Sequence, residues 1–256
     1  MRARGCEPVW AVWDDPAVDW GRFDLVVLRS AWDYAERWRD FLHWAERVPR
    51  LENPLTAVRF GVDKERYLTI LHGRDVPMVP TTFVRAGDEL HPSQVPIVVK
   101  PSISAGGRRS ARFDAGDPAS VVLAAEITAA GDTAMVQPLI EDAAEISLVY
   151  VDGRYSHSLS RRAALPLGRA EEVLYLDEEL GPHEATVAER LVAEAALALV
   201  PSPTLYARVD LLGGRVLELE VVEPSLYLSF HPPAADGLAA AVAARVENGP
   251  PGTLRT

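Results

Sequence analysis

The sequence predicts an α+β protein with mixed sheets, and two observations indicate this fold class. Predicted strands and helices alternate without the regular strand–helix period of a parallel, doubly wound sheet. Two tight turns also predict β-hairpins, and a hairpin pairs its strands antiparallel. The hairpins are Asp152-Gly153 between strands at 145–151 and 154–161, and Gly213-Gly214 between strands at 204–212 and 215–223.

Composition narrows the class of protein. A chain of 256 residues with 48% hydrophobic and 25% charged residues has room for one or two compact units with a sizeable core. The net charge of -11 argues against nucleic acid or an anionic membrane as the main partner. No signal peptide or membrane-spanning run is found, and the single cysteine, Cys6, excludes an internal disulfide. We therefore expect a cytoplasmic protein.

The amino-terminal residues predict a small α/β unit. Strands are expected at 7–13 and 23–29, followed by a helix at 36–48. The unit begins abruptly, so we expect either that it lacks an opening strand and helix or that the start assigned to the chain is late. Residues 49–61 are expected to form a linker with Asn53-Pro54 as its turn.

Caps and breakers indicate the later elements. Asp63 is expected to cap a helix through Gly73, and Asp117-Pro118 to begin a helix that ends at Gly131. Residues 76–84 are predicted to be extended and Ala134–Pro138 to form a strand. Further helices are predicted at 184–200 and 234–247.

Residues 95–110, VPIVVKPSISAGGRRS, predict an anion-binding loop. A buried strand would hold Lys100 rigidly, and the small residues after it would let backbone N–H groups approach a polyphosphate. The segment is not a P-loop, because its lysine precedes the glycines. A strand that runs into a solvated Gly/Ser turn is the alternative. The loop residues are Ser102, Ser104, Ala105, Gly106 and Gly107, followed by Arg108 and Arg109.

Three carboxylates in the last hairpin predict a metal site. Glu218 and Glu220 are two apart on a strand and share a face, and Asp210 on the preceding strand can join them. Converging carboxylates repel one another unless a cation lies among them, and oxygen ligands alone select Mg²⁺ or Mn²⁺. Glu223 is either a fourth acid or the end of the strand. A solvated edge hairpin is the alternative, although Arg208 on the Asp210 face would suit a charged site.

Other candidates have plain alternatives. Lys64 could be a surface lysine, and Gln137 a satisfied core glutamine rather than an adenine contact. Glu145 could bind a sugar diol or be solvated, and Arg161 could reach phosphate. The segment with Arg29, Ser30 and Asp33 follows a strand at its carboxyl end, where open sheets bind ligands, or is a packed turn with an Arg–Asp pair.

Taken in order, these motifs resemble the ATP-grasp superfamily of carboxylate–amine ligases. The resemblance runs from about residue 25 to residue 230. RSAWDY, ENP, DKERYL, VPTT and ELEVVEPSL are most similar to the glutathione synthetase-like branch that contains the cycloserine-forming O-ureido-serine cyclo-ligases. The superfamily markers are Lys64, Lys100 with its loop to Gly107, a hinge at 137–140, Glu-Ile-Ser-Leu at 145–148, Arg-Val-Asp at 208–210 and the acidic return strand.

The resemblance implies a role for each candidate residue. Lys64 and Lys100 would hold ATP phosphates under a lid loop at 102–109, and Glu145 would bind the ribose. Arg208 would stabilise charge that develops on the acyl phosphate and the tetrahedral intermediate. Arg29 would clamp a substrate carboxylate. The adenine would lie along Gln137, Pro138, Leu139 and Ile140, and Mg²⁺ (or Mn²⁺) would bind to Asp210, Glu218 and Glu220.

The resemblance also implies an architecture and an activity. A nucleotide would be held between two α+β subdomains, 63–136 and 137–256, after a small N-terminal substrate domain at 1–62. The expected activity is ATP-dependent C–N ligation, or ring closure, on a small amino-acid-like substrate through an acyl phosphate. The alternatives are phosphate transfer without amide formation and a nucleotide-binding module without turnover. A homodimer is compatible with the sequence.

One departure from the superfamily pattern affects the metal ligands. Many relatives have Glu-x-Asn in the last strand, whereas this chain has Glu218-Leu219-Glu220, and the distance to Pro224 is one residue longer. The choice among Glu218, Glu220 and Glu223 as ligands therefore stays open at this point.

Overall fold

Three β-sheets organise the protein in a computed structural model that describes residues 1–141, 143–163, 165–170 and 178–249. A parallel pair joins β1 to β2, a four-stranded antiparallel sheet has the order β3-β6-β4-β5, and a five-stranded antiparallel sheet has the order β11-β10-β7-β8-β9. The predicted α+β class is confirmed, but the expectation of mixed sheets is wrong, because the two larger sheets are antiparallel throughout. The strands are β1 (Val26–Val27), β2 (Leu51–Glu52), β3 (Thr82–Val84), β4 (Ile97–Pro101), β5 (Ala111–Phe113), β6 (Ala134–Pro138), β7 (Glu145–Val151), β8 (Arg154–Ala163), β9 (Glu178–His183), β10 (Tyr206–Leu212) and β11 (Arg215–Glu220).

Six α-helices in the described residues pack on these sheets. Helices α3 and α5 share a core with the five-stranded sheet, α6 covers its other face, and α4 packs on the four-stranded sheet. No helix in the described part of the chain is long and apolar enough to cross a membrane. The helices are α1 (Trp38–Ala45), α2 (Leu55–Gly61), α3 (Lys64–His72), α4 (Ala119–Ala129), α5 (Val187–Leu197) and α6 (Pro233–Glu247).

Both predicted hairpins are confirmed, as are α3 with Asp63 as its N-cap and the strand β6. Helix α4 begins at Ala119, close to the predicted start, where the side chain of Asp117 accepts a hydrogen bond from the Ala119 amide at 2.9 Å. Helix α5 is shorter than predicted, because β9 occupies residues up to His183 and Thr186 forms a capping box with Glu189.

Two predictions for the amino-terminal part are wrong. Residues 7–12 form no strand among the described residues, and Trp10 there is 83% exposed. Residues 49–61 are not a linker, because they hold β2 and α2, whose Leu51, Val58 and Phe60 are buried. The apolar side chains of this segment pack into the core, which a linker would not do.

The predicted domain limits stay a prediction, although the structure shows how the elements near them pack. Strand β6 continues through Pro138 within the four-stranded sheet, past the limit expected at 136/137. Helix α3 packs on the five-stranded sheet, with Tyr67 and Leu71 in that core. The last seven residues, 250–256, lie outside the described residues.

Asn53 ties the amino-terminal unit to the five-stranded sheet. Its buried side-chain amide donates to the carbonyl oxygens of Tyr206 at 2.9 Å and Val221 at 2.6 Å, and it accepts from the Leu205 amide at 2.7 Å. The turn predicted at Asn53-Pro54 therefore fixes one unit of the protein against another.

Replacing Asn53 with alanine is expected to lower the free energy of unfolding by about 3 kcal/mol, because buried backbone groups lose their partner. Urea denaturation would measure the loss. The control is Asn248→Ala at the other asparagine of the chain, an exposed residue just after α6, which is expected to change stability by less than about 0.5 kcal/mol. Equal losses in the two variants would contradict the proposed tie.

Candidate active site

A cleft of about 460 Å³ lies between the four-stranded and five-stranded sheets. Its lining includes the start of α3, β4 with the loop after it, the end of β6 with the residues after it, and parts of β7 and β8. Strands β10 and β11 with the residues that follow, and a 3-10 turn at Trp32–Ala35, line it as well. Most predicted site residues come together here. The sequence predicts them on separate elements. The two antiparallel sheets bring those elements together around one cleft.

The chain has only two lysines, Lys64 and Lys100, and both line the cleft. Lys64, at the start of α3, forms an ion pair with Glu218 at 2.9 Å and donates to the Ser104 carbonyl at 2.7 Å. Lys100, on β4, has no hydrogen-bond or ion-pair partner among the described residues. Burial lowers the pKa of Lys100, Glu218 opposes that shift, and the charge of Lys64 adds to it. Lys100 is thus a cation available to an incoming anion.

The loop after β4 lines the cleft with Ser104, Ala105, Gly106 and Gly107, as predicted. Gly106 and Gly107 have φ angles of +63° and +75°, a backbone conformation that glycine adopts without strain. Ser102 lies outside the cleft lining. It is buried, and its carbonyl accepts from the Lys64 amide at 3.1 Å, so it supports the first turn of α3.

The same loop contacts the amino-terminal unit. Ile103 and Ala105 pack against its aromatic core, and Arg108 forms an ion pair with Glu36 just after the 3-10 turn. Arg109 pairs with Asp132 at 3.2 Å. The loop therefore covers the cleft while bridging two parts of the protein.

The end of β6 and the residues after it line the cleft with Gln137, Pro138, Leu139 and Ile140. The side-chain amide of Gln137 is buried and donates to the Thr81 hydroxyl at 2.9 Å. The side-chain donor of Gln137 therefore fits the alternative that the sequence left open, a core glutamine whose hydrogen bonds are satisfied. The backbone of the segment and its apolar side chains remain candidates for the adenine contact.

The three predicted metal ligands converge. Antiparallel pairing sets Asp210 opposite Glu218, and ligand oxygens of Asp210, Glu218 and Glu220 lie within 4.8 Å of one another. Asp210 is fully buried, so the alternative of a solvated hairpin face is wrong. Within the described residues, the cluster consists of these three side chains and does not include Glu223.

Two arginines neutralise the cluster. Arg208 donates to Asp210 at 2.9 Å and to Glu220 at 2.8 Å. Arg161 donates to Asp210 at 2.8 Å and also contacts Glu145, its partner across β7 and β8. The guanidinium groups thus balance carboxylates that would otherwise repel one another.

The carboxylates differ in their pKa values. Burial opposes ionisation of Glu218, but the charges of Lys64 and Lys100 outweigh it and lower its pKa to about 2. Burial raises the pKa of Glu220 to about 7 against the pull of Arg208, and raises that of Glu145 to about 7 against Arg161. Glu218 is thus firmly ionised, and a bound cation would favour the ionised forms of Glu220, within the cluster, and Glu145, beside it.

The donor set fits Mg²⁺ or Mn²⁺. It offers three hard oxygen ligands at mutual distances that one ion could span, without sulfur or imidazole. The oxygens of Asp210 are bonded to Arg208, Arg161 and the Ser147 hydroxyl, the last at 2.7 Å. A cation that binds Asp210 must therefore share it with, or take it from, a guanidinium group.

The predicted substrate residues lie outside the described cleft lining. Arg29 donates to the Pro224 carbonyl at 2.8 Å and stacks over Tyr206, and Asp33 accepts from the Trp13 indole at 3.2 Å. Ser30 is exposed. Arg29 and Asp33 therefore have other partners in these contacts and do not form the Arg–Asp pair that was the alternative.

Sequence reasoning missed the residues that do line this end of the cleft. Trp32 and Tyr34, from the same hexapeptide, face the cleft together with Glu223, Ser225 and Tyr227. The spacing of Trp32 and Tyr34 on either side of Asp33 was the available signal. The prediction for this hexapeptide used its charged residues and left out its aromatic ones.

Comparisons with known proteins agree with this geometry. Residues 1–55 match a family described as "D-cycloserine synthetase DcsG, N-terminal domain". The chain is 36% identical to "Cycloserine biosynthesis protein DcsG" of Streptomyces lavendulae over 92% of this chain and 87% of that protein. The crystal structure of D-cycloserine synthetase DcsG superposes with a TM-score of 0.82 at 34% identity, over 96% of this chain and 91% of that one.

A more distant structure shows the same fold. The ATP-grasp ligase PsnB in complex with a minimal precursor, Mg and ADP matches with a TM-score of 0.57 at 20% identity, over 94% of this chain and 90% of that one. At this identity the likeness shows the fold alone.

Proposed function

Because this chain belongs to the DcsG family of ATP-grasp ligases, we propose that it closes a ring in an amino-acid-like substrate by ATP-dependent C–N bond formation. The observation that carries the proposal is a single cleft lined by the only two lysines of the chain and by Glu218 and Glu220, whose carboxylates converge with that of the buried Asp210. Such a cleft suits a polyphosphate and a divalent cation at once. The ligase relatives do not favour phosphate transfer without amide formation or a module without turnover.

The proposed reaction has two steps. A substrate carboxylate oxygen attacks the γ-phosphorus of ATP, and ADP leaves. A nitrogen then attacks the carbonyl carbon of the acyl phosphate, phosphate leaves, and the proton of the nitrogen passes to solvent. Positioning and electrostatic stabilisation supply most of the rate in phosphoryl transfer, so no strong general base is needed.

The residues of the chain supply the positioning. Lys100 would take a phosphate oxygen directly, and Lys64 would do so after releasing the Ser104 carbonyl. The amides of the loop at Gly106 and Gly107 would cover the phosphates and exclude water. When bound at Asp210, Glu218 and Glu220, Mg²⁺ would neutralise phosphate charge there.

Arg208 is placed to act on the reacting group. It lines the cleft beside the carboxylate cluster, where its guanidinium could stabilise charge on the acyl phosphate and the tetrahedral intermediate. Glu145 and Arg161 face each other on β7 and β8 and would bind the ribose and a phosphate respectively. Arg29 would serve a substrate carboxylate only if it left the Pro224 carbonyl.

The proposed substrate is O-ureido-serine, whose ring closure, with hydrolytic loss of the carbamoyl group as CO2 and NH3, gives cycloserine. Support comes from the relatives, which are described as a cycloserine biosynthesis protein and a D-cycloserine synthetase. The volume of the cleft, about 460 Å³, is in the range of small-ligand sites. We also propose a cytoplasmic location, which the single cysteine supports.

The test is ADP release from Mg²⁺·ATP across a panel of amino acids that includes O-ureido-serine. We expect release with O-ureido-serine, and mass spectrometry should detect cycloserine in equal amount. ADP release without a new ring would instead favour phosphate transfer alone. Saturable Mg²⁺·ATP binding without substrate-dependent release would favour a module without turnover.

A further inference from the structure

Glu223 is a buried carboxyl group that the proposed reaction does not use. It lies three residues beyond Glu220, lines the cleft, and is only 7% exposed. Its Oε2 atom has no hydrogen-bond partner among the described residues. A buried polar atom without a partner is costly, so such an atom in a cleft points to a missing ligand group.

No neighbouring arginine in the described residues forms an ion pair with the Glu223 carboxyl group. Of the two arginines that act on it, Arg29 is bonded to the Pro224 carbonyl, and Arg208 is bonded to Asp210 and Glu220. The metal cluster in the described residues does not include Glu223. Burial and the charge of Glu220 raise the pKa of Glu223 to about 9. The carboxyl is therefore mostly protonated in the free cleft and lacks a cation of its own.

The surroundings of Glu223 suit a small organic cation. Trp32 is placed to lower the pKa of Glu223 as a hydrogen-bond donor, although burial and neighbouring charges affect that pKa more. Burial first, and then the charge of Glu223, raise the pKa of the Tyr34 phenol. Both aromatic side chains line the same end of the cleft. A carboxylate beside aromatic rings provides both the opposite charge and the π faces that bind ammonium groups.

We propose that Glu223, which lines the cleft with Trp32, binds the ammonium group of the amino-acid substrate and selects substrates that carry it. The inference rests on the proposed function, since it assumes that the substrate reacts at this end of the cleft. On binding, the ammonium group stabilises the carboxylate form, and the proton of Glu223 leaves to solvent. Glu223 is thus a specificity residue, separate from the metal ligands.

The test compares O-ureido-serine with its desamino analogue, 3-(ureidooxy)propionate, by isothermal titration calorimetry in the presence of Mg²⁺·ADP. The natural chain is expected to bind the analogue about 30-fold more weakly or worse, the range for loss of one partner of a buried charge pair. In Glu223→Gln, the dissociation constant of O-ureido-serine should rise by a similar factor, while that of the analogue should change less than about threefold.

Two controls keep the result interpretable. Glu141→Gln removes a carboxylate from the opposite side of the cleft, beside Ile140, and should keep the preference for the ammonium compound. Glu223→Asp keeps the charge and should retain part of the preference. A thermal melt would check that each variant is folded.

Equal binding of the two compounds by the natural chain would overturn the inference without any variant. A folded Glu223→Gln protein that keeps the full preference would overturn it as well. Because these measurements read binding, they are independent of the ADP-release assay. A protein that prefers the ammonium compound but releases no ADP would contradict the proposed function and leave the role of Glu223 supported.

Discussion

Replacing Lys100 with methionine is expected to lower kcat/KM for ATP-dependent turnover about 10³-fold, the upper range for removing one group that stabilises developing charge. Lys100 lies on β4 in the cleft, and its ammonium group has no partner among the described residues. Its charge is therefore available to a phosphate at no cost to an existing bond. Methionine keeps the apolar stem, so the fold should be preserved.

The measurement is steady-state ADP release, with a thermal melt to confirm the fold. Lys100→Arg restores the charge and should recover part of the activity. Lys64→Met is the informative comparison, because Lys64 also holds Glu218 and the Ser104 carbonyl and its loss should reduce stability as well as turnover. A Lys100→Met protein within tenfold of the natural kcat/KM would contradict the assigned role.

The absence of other lysines permits a second, direct measurement. An amine-reactive acylating reagent can modify only Lys64, Lys100 and the amino terminus. Lys100 should react before Lys64, because its lowered pKa leaves more of the amine neutral and Lys64 is held in an ion pair. Mg²⁺·ATP should protect Lys100 from acylation. Unchanged labelling with ATP would place the nucleotide elsewhere.

The fold elements that could be predicted from the sequence depend on short-range signals. The hairpin turns, the Asp63 cap and the strand β6 depend on residues within a few positions of one another. The prediction of a linker at residues 49–61 is wrong because the structure of this segment depends on contacts with residues far away in the sequence. Asn53, for example, bonds to Leu205 and Tyr206, about 150 positions away. Propensity and pattern carry no information about such contacts.

The candidate site divides in the same way. Converging carboxylates on a hairpin follow from the two-residue period of strands, so Asp210, Glu218 and Glu220 could be predicted. Which side of a 3-10 turn faces the cleft could not, because that depends on packing. Asp33 turns to the Trp13 indole, while Trp32 and Tyr34 face the cleft. Gln137 lines the cleft, but its amide donor is bonded to Thr81.

Replacing Arg208 with methionine is expected to lower the free energy of unfolding by about 3–5 kcal/mol, the cost of removing one partner of a buried ion pair. Arg208 is 4% exposed and bonds to Asp210, Glu220 and the Ser225 carbonyl. Without it, Asp210 keeps Arg161 and Ser147, while Glu220 loses the ion pair with Arg208. Urea denaturation would measure the loss.

The matched control is Arg215→Met at the start of β11, an exposed arginine on the same hairpin, which should change stability by less than about 0.5 kcal/mol. If Arg208 were only one of many surface charges, the two variants would lose similar stability. Turnover should fall in Arg208→Met as well, since the guanidinium lines the cleft.

The response to Mg²⁺ then distinguishes a purely structural arginine from one that shares its carboxylates with a metal ion. A ligand that binds only the folded state stabilises it, and at a fixed concentration the stabilisation grows with the logarithm of its affinity. Because Mg²⁺ and Arg208 would compete for Asp210 and Glu220, removing Arg208 should strengthen Mg²⁺ binding to the folded protein. The melting temperature of Arg208→Met should therefore rise more with Mg²⁺ than that of the natural chain. An equal rise in both would mean that the cation binds without displacing Arg208, and that the guanidinium and the metal act on the reacting group side by side.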